Sequence, residues 1–201
     1  MSPLNESNLY RKLSNVPVAS SLDLASITKH FVRRTYNSGE HLLRLGAIET
    51  QIHFLERGVV HQYLIPEDEI LTINIAITGM FFNSFTSYVL SNPSLQQQTA
   101  IGEVETYSIS KRQVDELTKT NQGFCYLYMK KQEEIHLERE LRSRILQIKS
   151  AKIRFLEFLK HDKKAEYYMN HVSGKLVAQY LNLTAETFSR VKSANYTKVI
   201  S

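Results

Sequence analysis

The sequence predicts an α+β fold: an N-terminal antiparallel β-roll of jelly-roll type flanked by helices, one long helix, and a C-terminal helix-turn-helix. Three observations predict it. Between Tyr36 and Ser110, apolar and polar residues alternate at period two in short runs broken by turn residues, the pattern of half-buried strands. From Lys111 onward the chain is rich in Glu, Lys, Arg and Gln at helical spacing, all good helix formers. Between Val172 and Lys192 two short helical runs flank Asn182, Leu183 and Thr184, the layout of two helices joined by a tight turn. The expected division is a roll domain over 1–122, a long helix over 123–150 and a helix-turn-helix domain over 151–201.

A chain of 201 residues can form one large core or two small ones. Hydrophobic residues make up 42% and charged residues 22%, ordinary for a globular protein in water. No apolar run approaches membrane-spanning length and no signal-peptide pattern opens the chain. A cytoplasmic protein without membrane partners is expected. One cysteine, Cys125, excludes a disulfide framework and a Cys-rich cluster within one chain. Charge is unevenly spread. Residues 1–120 hold 10 Lys+Arg against 12 Asp+Glu, net −2, and residues 121–201 hold 15 against 8, net +7. A basic C-terminal part suits nucleic acid, and a solvated lysine-rich surface would give the same sum.

Residues 1–19 show little periodicity. A helix is expected from Ser20, capped by Ser20 with Asp23 three residues on, turning Leu24, Ile27 and Phe31 inward and fading near Arg34. The roll follows, with turns at Ser38-Gly39, Gly46, Arg57-Gly58, Pro66 to Asp68 and Asn92-Pro93. Ile52, Phe54, then Val59, His61, Tyr63, and then Ile70, Thr72, Asn74, Ala76 alternate as strands do. The aromatic segment Gly79 to Leu90 is expected to include a short helix, and strands resume from Gln97 to Ser110. Ser110 caps a helix ending near Asn121. The long helix, Gly123 to Ser150, would reach about 42 Å at 1.5 Å per residue. Its intermittent apolar stripe, Leu127, Ile135, Leu141, Ile145 and Ile148, is the expected dimer seam. The alternative is that this helix only crosses its own roll. Ala151 to His161 is amphipathic, and Asp162 to Asn170 reads as a polar connector.

In the final hairpin Leu176, Val177, Tyr180 and Leu181 face inward in the first helix, and Phe188 and Val191 in the second. Small Ala178 suits a close helix crossing. Asn182 tolerates the left-handed backbone that ends a helix, and Thr184 can cap the next one. Glu186, Ser189 and Arg190 then share one face at spacings of three and four.

The order of helix, β-roll, long helix and helix-turn-helix resembles the Crp/Fnr superfamily of bacterial transcription regulators over nearly the whole chain. Y-N-S-G-E-H-L-L-R-L-G (Tyr36 to Gly46) resembles that family's opening roll motif, and H-F-L-E-R-G-V-V-H-Q-Y (His53 to Tyr63) its next hairpin, with Gly58 at the turn. L-V-A-Q-Y-L-N-L-T-A-E-T-F-S-R (Leu176 to Arg190) is the best match. Two departures matter. Cyclic-nucleotide binders of the family carry a Gly-Glu and then an Arg-Ser pair, the Arg neutralising the cyclic phosphate. Here Gly58 to Ser110 holds no Lys or Arg, and Gly102-Glu103 falls too late and lacks that pair. A buried phosphate without a cation is costly, so cyclic AMP is not expected and no cofactor is assigned. The C-terminus, from Asn195 to Ser201, is too short for the family's full β-hairpin wing.

The resemblance implies a homodimer on double-stranded DNA, with RNA polymerase and a small-molecule effector as further partners. Arg190 can read guanine, Glu186 can accept from cytosine and Ser189 can reach a base edge or phosphate. Glu186, Ser189 and Arg190 resemble the arrangement in the oxygen-responsive branch, whose half-site is TTGA-like. Lys175, Thr184, Thr187 and Lys192 are expected on phosphates. The bland alternative is a surface pair between Glu186 and Arg190. Phe81, Phe82, Phe85 and Tyr88 are core residues by default. If the roll takes an effector, they are its expected lining, for a neutral or apolar molecule. No enzyme motif occurs, so no catalytic residue is expected. His53 and His61 with Glu56 could suggest a metal but read better as surface residues of their strands, and Cys125 as a packing residue. The rival reading is a roll-based ligand- or protein-binding module that has lost DNA binding.

Overall fold

The computed structural model describes residues 7–15 and 23–195. By contact the chain groups into two compact units, Met1–Ile70 with Asn74–Glu133, and Leu71–Ile73 with Glu134–Ser201.

The first unit opens on helices. α1 (Asn8–Ser14) is capped by Ser7, whose Oγ accepts from the Tyr10 amide at 3.1 Å. Leu9 and Leu13, four apart, are buried. No periodicity announces this helix, because one i, i+4 pair is too little signal. A distant residue fixes it instead: the Glu56 carboxylate accepts from the Asn8 and Leu9 amides at 2.7 and 3.1 Å, a negative charge at a helix N-terminus. α2 (Leu24–Thr28) is capped by Asp23, which accepts from the Ser26 amide. The expected Ser20 cap lies outside the described residues. α2 stops well short of Arg34, since β1 (Val32–Tyr36) already pairs there with a later strand; its β-branched and aromatic residues favour that state.

The roll comprises β1, β2 (His41–Leu43), β3 (Gln51–Leu64), β4 (Leu71–Ile77), β5 (Phe81–Phe82) and β6 (Gln97–Ser110), with α3 (Phe85–Leu90) before β6. The order is β1–β6–β3–β4, with β2 also on β6 and β5 on β3. All the strand registers seen are antiparallel, including Gln62 opposite Gln98 and His53 opposite Ser108. Gly58 departs from the expected hairpin turn. β3 runs through it, with register shifts on either side of Arg57. Gly58 has φ +106°, and a Cβ there would lie 2.5 Å from the Glu103 carbonyl oxygen. It is a bulge glycine, where two backbones approach too closely for any side chain.

Two clusters fill this unit. One is built from Leu9, Leu13, Leu24, Ile27, Ile52, Phe54, Tyr107 and Ile109, joined by Val114, Phe124 and Leu127 from the helices after the roll. The other is Leu55, Val60, Ala76, Phe82, Ala100 and Val104. α4 (Lys111–Thr120) starts at a complete capping box between Ser110 and Gln113. α5 is one continuous helix, Gln122–Leu146, ending four residues before the expected Ser150.

Beside the first residues of β4, Leu71–Ile73, the second unit is helical: the later part of α5, α6 (Ala151–His161), α7 (Ala165–His171), α8 (Gly174–Tyr180) and α9 (Ala185–Asn195). α7 stands where a polar connector was expected. Lys163, Glu166 and Asn170 do face water, but Ala165, Tyr168 and Met169 turn inward at helical spacing. The core pairs Phe155 with Phe188 edge to face, centroids 5.7 Å apart. Phe158, Tyr168 and Tyr180 form an aromatic trio. Tyr180 Oη donates to the buried Asp162 carboxylate at 3.0 Å, and burial pushes both tyrosine hydroxyls well above their ordinary pKa.

Candidate nucleic-acid interface

The α8–α9 hairpin is built by its own sequence. Ser173 caps α8, accepting from the Leu176 amide. α8 closes when the Leu183 amide donates to the Ala178 carbonyl at 2.9 Å. Asn182 takes φ +52°, the left-handed state expected of it. Ala178 is buried. Thr184 Oγ1 accepts from the Thr187 amide at 3.1 Å, capping α9.

α9 buries Phe188 and Val191 and leaves Glu186, Ser189 and Arg190 exposed along one stripe. No ion pair joins Glu186 to Arg190 among the described residues, so the bland surface-pair alternative is not what occupies them. Lys175 is exposed on the first turn of α8, Thr184 is exposed at the head of α9, and Thr187 and Lys192 are half-buried along it. The hairpin therefore presents an acceptor, a hydroxyl and a guanidinium on a stripe backed by a packed core. A cation and hydroxyls stand beside that stripe. That chemistry suits base edges and phosphates.

The expected dimer seam divides. Leu127 and Ile145 are buried inside their own chain, and Ile135, Leu141 and Ile148 are half-buried. The apolar side chains that α5 shows to solvent are Tyr126, Met129 and Leu137, the last 64% exposed. They are spaced by three and eight, and Leu137, four residues before Leu141, flanks the expected seam rather than lying within it. A charged neighbourhood, including Glu133 and Glu140, hid that stripe in the sequence. Cys125 is exposed rather than packed.

The four aromatics expected around an effector do not come together. Phe81 and Phe82 are adjacent on β5, so they point to opposite faces. Phe82 joins the inner cluster of the roll, whereas Phe81 and Tyr88 pack with the other one. Phe85 is exposed. The roll carries a polar cluster that sequence reasoning missed. Glu49, 4% exposed, accepts from the Gln51 and Ser84 amides and from Gln98 Nε2 at 3.0 Å, and faces His53 Nε2 at 3.6 Å. Burial pushes its carboxyl up, but the His53 hydrogen bond and charge with the two amides outweigh it and hold the pKa below the ordinary value. His53 Nδ1 meets Ser108 Oγ at 2.7 Å. Glu56, occupied at α1, is no partner to the histidines, and no group able to hold a metal occurs among the described residues. The available signal was polar Gln62 and Gln98 at strand positions whose neighbours Val60 and Ala100 are apolar.

No family model matches the chain, and no curated protein matches it. Solved structures do. FixK2 from Bradyrhizobium japonicum is 20% identical with TM-score 0.67, over 85% of this chain and 86% of that one. A CooA mutant from Carboxydothermus hydrogenoformans is 18% identical with TM-score 0.67, over 91% and 84%. The c-di-GMP-responsive global regulator CLP from Xanthomonas campestris is 17% identical with TM-score 0.66, over 87% and 91%. The class of architecture is thus a β-roll followed by a long helix and a helix-turn-helix. Its particular form is the Crp/Fnr fold, as the sequence motifs imply. No helix among the described residues is long and apolar enough to cross a membrane.

Proposed function

We propose that this chain is a DNA-binding transcription regulator of the Crp/Fnr type, cytoplasmic and without catalytic activity. The exposed stripe Glu186, Ser189 and Arg190 on a capped, core-backed helix carries that reading. α9 enters the major groove and reads base edges through these residues, while Lys175, Thr184, Thr187 and Lys192 hold phosphates. Two copies associate through α5, placing two α9 helices about 34–36 Å apart on a near-palindromic site. The dimer face is the stripe Tyr126, Met129 and Leu137, exposed on each copy. Leu137→Glu should turn a dimer into a monomer in sedimentation equilibrium. RNA polymerase is the further protein partner of such a regulator.

Any signal at the roll is not a cyclic nucleotide. Gly58 to Ser110 supplies no cation, and the roll buries the Glu49 carboxylate. An effector, neutral or apolar, would act by shifting the population of binding-competent dimers. The rival, a roll-based binding module, predicts no DNA binding. Selection of bound duplexes from a random pool with the purified chain separates the two. A regulator enriches a motif and its affinity falls steeply with salt. A module enriches nothing and shows almost no salt slope.

A further inference from the structure

We infer that Arg154 and Arg142 are positioning residues for the recognition helix, holding the hairpin turn against the end of α5. The inference rests on the DNA-reading role proposed for α9. Arg154 projects from α6 and is 9% exposed. Its guanidinium makes four hydrogen bonds, all to backbone carbonyls. Nε and Nη2 donate to Ile148 at 2.9 and 2.7 Å, and Nη1 donates to Leu181 at 2.9 Å and Asn182 at 2.8 Å. Arg142, on α5, donates from Nη2 to the Tyr180 carbonyl at 2.9 Å and stacks over the Tyr180 ring at 4.4 Å.

Three consecutive carbonyls, those of residues 180, 181 and 182, are thus held by two guanidiniums. They belong to the last residue of α8, its C-cap and the first residue beyond it, at a helix end whose outermost carbonyls lack helical partners and whose dipole favours a cation. No carboxylate pairs with Arg154 among the described residues. Its charge is met by carbonyl dipoles alone, and its planar fork is what lets one side chain serve two segments. One segment is Ile148, just past the end of α5. The other is the turn whose left-handed Asn182 sets the direction in which α9 leaves. A displacement of the α5 end is therefore carried to the recognition helix through rigid hydrogen bonds rather than through loop contacts. Lysine cannot reproduce this, since its ammonium is a point charge that cannot fork across both segments.

The test compares the full-length protein with Arg154→Lys, with Arg142→Lys as a second variant and exposed Arg144→Lys as a control. Amide hydrogen exchange, measured without DNA, reads the turn. Residues 181–185 should exchange about tenfold faster or more in Arg154→Lys, with the middle of α6 and α9 unchanged. Selection from a pool of random duplexes reads the positioning. The wild type should enrich one half-site sequence at one spacing, and Arg154→Lys should keep the half-site sequence while accepting several spacings. Unchanged exchange in the turn overturns the clamp. Faster exchange with the spacing preference intact also overturns it, because the arginine is then only a structural support. If the wild type enriches no sequence at all, the DNA reading fails and the positioning role with it. Exchange then shows separately that the turn anchor exists.

Discussion

Thr184 and Thr187 are bonded twice. Thr184 Oγ1 accepts from the Thr187 amide at 3.1 Å and donates to Thr187 Oγ1 at 2.9 Å. The first bond satisfies an amide that α9 cannot satisfy internally. The second fixes the hydroxyl rotor, so both side chains are pre-oriented at the head of α9. Thr184→Ala should cost about 1 kcal/mol of stability, a drop of roughly 2–4 °C in Tm for a chain of this size. Thermal denaturation by circular dichroism measures it. Thr184→Ser, which keeps the acceptor, should recover most of the loss.

Gly58 is a second position where backbone geometry decides. With φ +106° and the Glu103 carbonyl oxygen 2.5 Å from where a Cβ would sit, Gly58→Ala must both strain the backbone and part β3 from β6. The expected loss is about 2–4 kcal/mol, read as a lower urea midpoint at an unchanged m-value. Gly39→Ala, with positive φ but open space around it, should cost less. Equal losses would mean that φ alone, and not the close approach, makes Gly58 necessary.

How much was legible follows from where the determinants lie. The hairpin was readable because its signals are local: the Thr184 cap, the left-handed Asn182 and the inward Phe188 and Val191 lie within ten residues. The span of β6 and the start of α6 were readable for the same reason. α1 was not, because what holds it is Glu56, 48 residues away. Gly58 was read as a turn because a glycine after Arg57 looks alike in a turn and a bulge; only the opposing backbone at Glu103 distinguishes them. Apolar spacing on α5 gives a helix face but not its neighbour, so two of the five expected seam residues turn out to be buried in their own chain. Leu127 and Ile145 are apolar for the sake of their own chain's cores. The polar cluster around Glu49 brings together residues from 49 to 108; a polar residue at the inward position of Gln98 is a local sign of it, but its partners are not local.

His61 gives the roll a defined acid sensitivity. It is 7% exposed, and burial holds its pKa down to about 4, from an ordinary value of 6.5. Between those values the unfolded chain binds a proton that the folded chain refuses. Stability therefore rises with pH from 4 to 6.5, is complete above 6.5, and is lost as pH falls through that window. At about 1.4 kcal/mol per pH unit the whole effect is on the order of 3 kcal/mol. Urea unfolding at a series of pH values should show this slope in the wild type and lose most of it in His61→Phe. Glu49 acts in the same direction at lower pH, since its carboxyl is held below the ordinary value. A slope that survives in His61→Phe would assign the titration to another of the seven histidines.

Arg190 and Lys175 are both exposed cations on the hairpin, and the two should fail differently. Arg190 stands four residues after Glu186 on the outward stripe of α9, where its planar fork can span the two acceptors of a guanine. Arg190→Ala should cost about 1–3 kcal/mol of affinity and relax selectivity at one base pair. Glu186→Ala should relax a different one, since an acceptor selects a donor base edge. Lys175 stands beside the stripe on the first turn of α8, as a point charge suited to a phosphate. Lys175→Ala should weaken every sequence alike and lower the salt slope by about one. Affinities for a wild-type-selected duplex and for its single-base variants, at several salt concentrations, separate these outcomes. If Arg190→Ala weakened all sequences equally, its guanidinium would be a phosphate contact. Sequence reading by α9 would then fall to Glu186 and Ser189.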